Sequence, residues 1–147
     1  MPDFSVAKGR SNARKKALQA LYQWRLSDND LNEIEVQFHD EQDMSKVDLD
    51  YFHSLLHDVP SQVDELDAVY MPLTDLKGNE LDPVEQAILR MATYELKTRL
   101  DVPYRVVIDE AIQLARMFGA DQSHKFVNGI LDKVARQLRD AEIKPEK

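Results

Sequence analysis

Asp82-Pro83-Val84-Glu85-Gln86-Ala87-Ile88-Leu89-Arg90-Met91-Ala92-Thr93-Tyr94-Glu95-Leu96 opens with the residues that start a helix and continues with apolar residues at helical spacing. An aspartate side chain accepts hydrogen bonds from the orphan amides of a first turn, and proline at the first helical position has no amide to lose. Glutamate at the third position completes what resembles a capping box. Val84, Ala87, Ile88, Met91, Ala92 and Leu96 recur every three or four residues, so they share one stripe of a helix that ends near Leu100, before Asp101-Val102-Pro103. Pro103 can open the next helix, whose apolar face is Val107, Ile108, Ala111, Leu114, Ala115 and Phe118. Gly119 fits the left-handed position that closes a helix. Asp121 or Ser123 then caps a last helix carrying Val127, Ile130, Leu131, Val134 and Leu138, and the polar tail from about Asp140 is expected to fray.

The same periodicity extends toward the N-terminus. Leu49, Phe52, Leu55, Leu56, Val59, Val63, Leu66, Val69 and Tyr70 keep helical spacing through Pro60. Proline removes one backbone donor and clashes with the preceding turn, which predicts a kink or a break into two helices there. Asp40 to Asp48 reads as a connector, and Leu31, Ile34, Glu35 and Phe38 as a short helix after the polar break Ser27-Asp28-Asn29-Asp30. A first helix begins at Ser11, capped by Ser11 or Asn12, with Ala13, Ala17, Ala20, Leu21 and Trp24 on its buried stripe. Residues 1 to about 10 lack apolar periodicity and read as a flexible basic arm. No alternating strand pattern, fixed-period repeat or low-complexity linker interrupts this. The expectation is an all-α protein of about six or seven helices, with one helical domain over 11–140 and a polar tail over 141–147.

A length of 147 residues is usual for one domain and sufficient for a substantial core, and 43% hydrophobic with 31% charged residues is an ordinary globular composition. No window holds eighteen consecutive apolar residues, and the first ten residues offer no signal-peptide core, so no membrane partner and a cytoplasmic location are expected. The absence of cysteine excludes disulfides, thiol catalysis and cysteine-ligated zinc. A net charge of -8 disfavours nucleic acid when taken as a sum. Its distribution points the other way. Lys8, Arg10, Arg14, Lys15, Lys16 and Arg25 face only Asp3 in the first 25 residues, whereas from Asp28 to Glu85 the only bases are Lys46 and Lys77. Such segregation permits an anion-binding face on an acidic protein.

No catalytic motif accompanies it. The glycines form no phosphate cradle, no serine lies in a nucleophile elbow, and Asp109 and Glu110 read as helix-start carboxylates. Asp28, Asp30 and Asn32 begin like a calcium loop, but Glu33 and His39 stand where glycine and the bidentate glutamate are needed. His53 and His57 lie one helical turn apart, a spacing two metal ligands can use, yet the H-E-x-x-H glutamate is missing and no third ligand is evident in the linear sequence. They read as surface or half-buried histidines, with no metal or cofactor expected. Arg10, Arg14, Lys15 and Lys16 can neutralise phosphates, and Tyr22 on the same helix is either a ring for an unstacked base or a core-edge residue. Phe126 is spaced from Ile130 and Val134 as a core residue would be.

Three segments resemble one known family. Arg14-Lys15-Lys16-Ala17-Leu18-Gln19-Ala20-Leu21-Tyr22-Gln23-Trp24 is the first, and Val84 to Leu96 the second. The third runs from Asp101-Val102-Pro103-Tyr104-Arg105-Val106-Val107-Ile108-Asp109-Glu110-Ala111 through Phe118-Gly119 to Ser123-His124-Lys125-Phe126-Val127-Asn128-Gly129-Ile130-Leu131-Asp132-Lys133. Together, from about Ala13 to Leu138, they look like the NusB family of transcription antitermination proteins. The resemblance implies two packed helical subdomains that bind the boxA element of nascent RNA. The implied partner is NusE, a small-subunit ribosomal protein, and other Nus factors and RNA polymerase complete a complex that suppresses premature termination in ribosomal RNA operons.

By the same resemblance the basic arm falls on Arg10, Arg14 and Lys15, and the first-helix tyrosine on Tyr22. Phe126, beside Lys125, becomes a base-stacking ring, Arg90 a phosphate or base contact, Asn128 a residue shaping a loop and helix start, and Glu85 part of the NusE surface. Two departures stand out: Asp109-Glu110 where the family often has Asn-Glu, and fewer arginines in the arm, which implies heavier reliance on the partner for tight RNA binding. NusB-like domains also occur fused to ribosomal RNA methyltransferases, but a chain ending at Lys147 is expected to leave no room for a cofactor-binding domain. A helical adaptor contacting only protein is the other alternative, separable by a salt-sensitive boxA shift assay.

Overall fold

The structure, a computed structural model, describes residues 4–76 and 80–143, for residues 4 and 5 the backbone alone. Those residues form eight α-helices and no strand: α1 (Phe4–Ser27), α2 (Leu31–Glu41), α3 (Leu49–Ser61), α4 (Val63–Tyr70), α5 (Pro83–Thr98), α6 (Tyr104–Phe118), α7 (Ser123–Leu138) and α8 (Asp140–Ile143), with a 3-10 turn at Met71–Leu73. The helices divide into two compact units, one ending at Gln62 and the other starting at Val63.

In the first unit, α1 packs on α3 and α2 through an alanine stripe, with Ala13, Ala17 and Ala20 fully buried. Small side chains at these positions let a neighbouring helix approach closely. Ile34 and Phe38 of α2 and Phe52, Leu55, Leu56 and Val59 of α3 complete the core, while Trp24 is only half-buried. Asp28, at φ 55, supplies the left-handed residue after α1, its amide donating to Trp24 O at 2.8 Å. Asp30 and Asp48 cap α2 and α3 by accepting from first-turn amides.

One expectation for this unit is corrected, and the break into two helices expected at Pro60 is present two residues later. Helix α1 starts at Phe4 rather than Ser11, so residues 4–10 of the expected flexible arm are helical; residues 1–3 lie outside the described residues. That turn is held from outside by Asp48 N–H donating to Gly9 O at 3.0 Å and Asn12 Nδ2 donating to Lys46 O at 3.0 Å. Pro60 does not interrupt the helix at its own position. The break expected there comes at Gln62, whose amide turns back to Val59 and Pro60 carbonyls.

In the second unit α5 lies against α4, α6 and α7. It is buried on every side from Gln86 to Leu96 except at Arg90, more than the single stripe predicted. Asp82 caps it as expected, accepting from Val84 and Glu85 amides at 3.1 Å each. The reciprocal half of the capping box is absent, because the Glu85 carboxylate accepts from Ser123 Oγ at 2.7 Å instead. Gly119 is not left-handed. Its φ is -87°, and the left-handed residue is Gln122, at φ 74, immediately before α7. The tail expected to fray is helical through Ile143, where Glu142 accepts from the Tyr104 amide at 3.0 Å and so caps α6 from a distance; residues 144–147 lie outside the described residues.

Candidate nucleic-acid interface

Helix α1 carries six cations and no carboxylate across its 24 residues. Lys8, Lys15 and Tyr22 are spaced by seven, a little short of two full turns of 3.6 residues, so they fall along one line of the helix. Lys8 and Tyr22 are exposed and Lys15 is half-buried. Lys16, facing elsewhere, donates to Gln42 Oε1 at 2.6 Å.

The two arginines behave differently. The Arg10 guanidinium lies 4.8 Å from the centroid of the Tyr51 ring, with Nε 4.0 Å from Asp48 Oδ2. Arg14 sits 5.3 Å from the same ring, donates to the Tyr51 hydroxyl at 3.5 Å and is only 3% exposed. The reading of Arg14 as a phosphate contact is therefore corrected: its charge is stacked between α1 and α3, where a strand outside cannot reach it. Tyr51, which organises both arginines, carries no linear signal, because a cation–π contact across 37 residues depends on helix packing.

In the second unit Lys125 and Asn128 are exposed and Phe126 is half-buried, all near the start of α7. Phe126 is thus not the closed-core residue its spacing implies; Val127, Ile130, Leu131 and Val134 fill that role. Asn128 lies inside α7 rather than shaping its start, which the Ser123–Glu85 hydrogen bond holds. That bond also brings Glu85 beside the Lys125–Asn128 segment. Gly129, next in the segment, has open space where a Cβ would project.

Arg90 is committed elsewhere. Its Nε and Nη2 donate to the two oxygens of Asp67 at 2.9 Å each, and its side chain is 15% exposed. Tyr70 donates to the same carboxylate at 2.6 Å. Burial, reinforced by Asp67, pushes the Tyr70 hydroxyl well above the usual phenol range. The bidentate pair joins α4 to α5, so an RNA contact by Arg90 would compete with Asp67 for the guanidinium. In the first unit, Glu35 of α2 meets His53 and His57 of α3, and one oxygen or nitrogen from each residue lies within 4.8 Å of the others. Burial would raise the Glu35 carboxyl, but hydrogen bonds from both imidazoles and their charge outweigh it and hold the group below its ordinary range.

Comparison with known proteins bears on this surface. The NusB family model matches residues 11–136. The transcription antitermination protein NusB of Teredinibacter turnerae is 56% identical over 138 residues, covering 93% of this chain and 94% of that protein. Its counterpart from Pseudomonas fluorescens is 53% identical over 135 residues, 92% of this chain and 81% of that protein. The solved structure of T. maritima NusB superposes with a TM-score of 0.73 at 32% identity, covering 87% of this chain and 91% of that one. Among the described residues no helix is long and apolar enough to cross a membrane.

Proposed function

This chain belongs to the NusB family of non-catalytic transcription antitermination proteins, and we propose that it acts by holding boxA RNA in partnership with NusE. The observation that carries this reading is the line Lys8–Lys15–Tyr22 on an acid-free helix of an otherwise acidic protein. Cations along such a line attract the phosphates of a single strand, and an exposed ring at its end accepts an unstacked base. Phe126 and Lys125 offer a second ring and cation of the same kind, with Asn128 beside them. Arg10 contributes from the edge of α1, where it is partly covered by Tyr51. Glu85 belongs to the NusE side of the proposal, and other Nus factors and RNA polymerase would join through that complex.

The test is a titration of fluorescent boxA RNA with and without NusE. Tyr22→Ala and Phe126→Ala are each expected to weaken binding by about 1–3 kcal/mol, the usual contribution of one stacked base. Because Phe126 is half-buried, its removal should cost less stability than the ~3–5 kcal/mol of a closed-core phenylalanine. Binding of NusE without any RNA response would favour the protein-only adaptor and overturn the proposal.

A further inference from the structure

We propose that Glu35, His53 and His57 form a zinc-type divalent metal site that clasps α2 to α3. The histidines stand at i and i+4 of α3 and so present their rings on one face, while Glu35 reaches them from the preceding helix. Glu35 oxygens lie 2.9 and 3.1 Å from His53 Nδ1 and 2.7 Å from His57 Nε2, and one ligand atom from each residue falls within 4.8 Å of the others. Zinc binds nitrogen and oxygen ligands at about 2.0–2.2 Å, which in a tetrahedron separates ligand atoms by roughly 3.3 Å. The three groups therefore need only side-chain adjustments to surround an ion.

The two imidazole rings lie 4.3 Å apart, so two nitrogen donors and one carboxylate face a common point. The donor set also selects the ion. Two nitrogens and one oxygen suit zinc and its neighbours, and they lack the six or more oxygens that magnesium and calcium prefer. Glu35 and His57 are mostly covered, with side chains 17% and 23% exposed, while His53 at 59% leaves one side open. Three protein ligands and an open fourth position give water, or a donor from a binding partner, a place on the ion.

The experiment uses the full chain without a polyhistidine tag, titrated with zinc chloride by calorimetry and with cobalt(II) followed by visible absorption. One equivalent of zinc is expected, with the absorption of four-coordinate cobalt, and magnesium at the same concentration should give no heat. His53→Gln and Glu35→Gln should each weaken zinc binding tenfold or more. His53 is exposed enough for its variant to keep the helical circular dichroism of the parent, which separates lost ligation from lost folding. Absence of saturable uptake, or equal uptake by folded His53→Gln, overturns the proposal.

Discussion

Gly119 is a glycine for a reason that its position in the chain conceals. Its backbone is extended and open to any residue, but a Cβ there would lie 2.7 Å from Ala115 O and 2.9 Å from Ser123 Cβ. Gly119→Ala should therefore cost about 1–3 kcal/mol through overpacking, not backbone strain, read as a lower denaturation midpoint in urea with an unchanged slope. The general preference for glycine after a helix identified the right residue and the wrong cause. Cation identity was similarly incomplete: Arg14 and Arg90 are legible as positive charges, whereas Tyr51 and Asp67, which engage them, become visible only after folding.

At the scale of elements, Arg139 in the link between α7 and α8 gathers four carbonyls and a carboxylate. It donates to Leu96 O, Val102 O, Glu95 O, Arg99 O and Glu142 Oε1, and it is 4% exposed. Three of those carbonyls lie at the C-terminal end of α5, where the helix dipole favours a cation. Arg139→Ala should destabilise the chain by about 3–5 kcal/mol in equilibrium unfolding, because it strips five partners at once. Glu142 extends the contact. Burial would raise its carboxyl, but the Tyr104 amide and the Arg139 guanidinium outweigh this and hold it below its ordinary value of 4.5. A group depressed on folding stabilises above its unfolded value and loses that contribution as pH falls through the folded one. Protection of the Tyr104 amide from hydrogen exchange should therefore hold at neutral pH and fall below about pH 4.5, and Glu142→Gln should remove that dependence. The helix start at Asp82 was legible because a cap acts over three residues, and the start after Asp30 because a polar break precedes it; α8 was not, because its hold on Tyr104 spans 38 positions.

For the whole molecule, the proposed interface rests on a charge distribution rather than on the net charge of -8. If three or four phosphates are neutralised, log K for boxA RNA should fall against log salt with a slope of about -2 to -3, and Lys15→Ala should reduce that slope by about one contact. A slope near zero would remove the electrostatic basis of the reading. The segregation of charge was plain in the linear sequence, and so was the division into helices. How many of those charges remain reachable was not, because burial of a guanidinium depends on partners distant in the chain. Arg14 and Arg139 are enclosed, whereas Arg25, Arg105, Arg116 and Arg136 are exposed. A dicarbonyl reagent selective for arginine should modify those four rapidly and spare the two enclosed ones until the fold opens, making their labelling, read by mass spectrometry, a reporter of unfolding at one position in each unit.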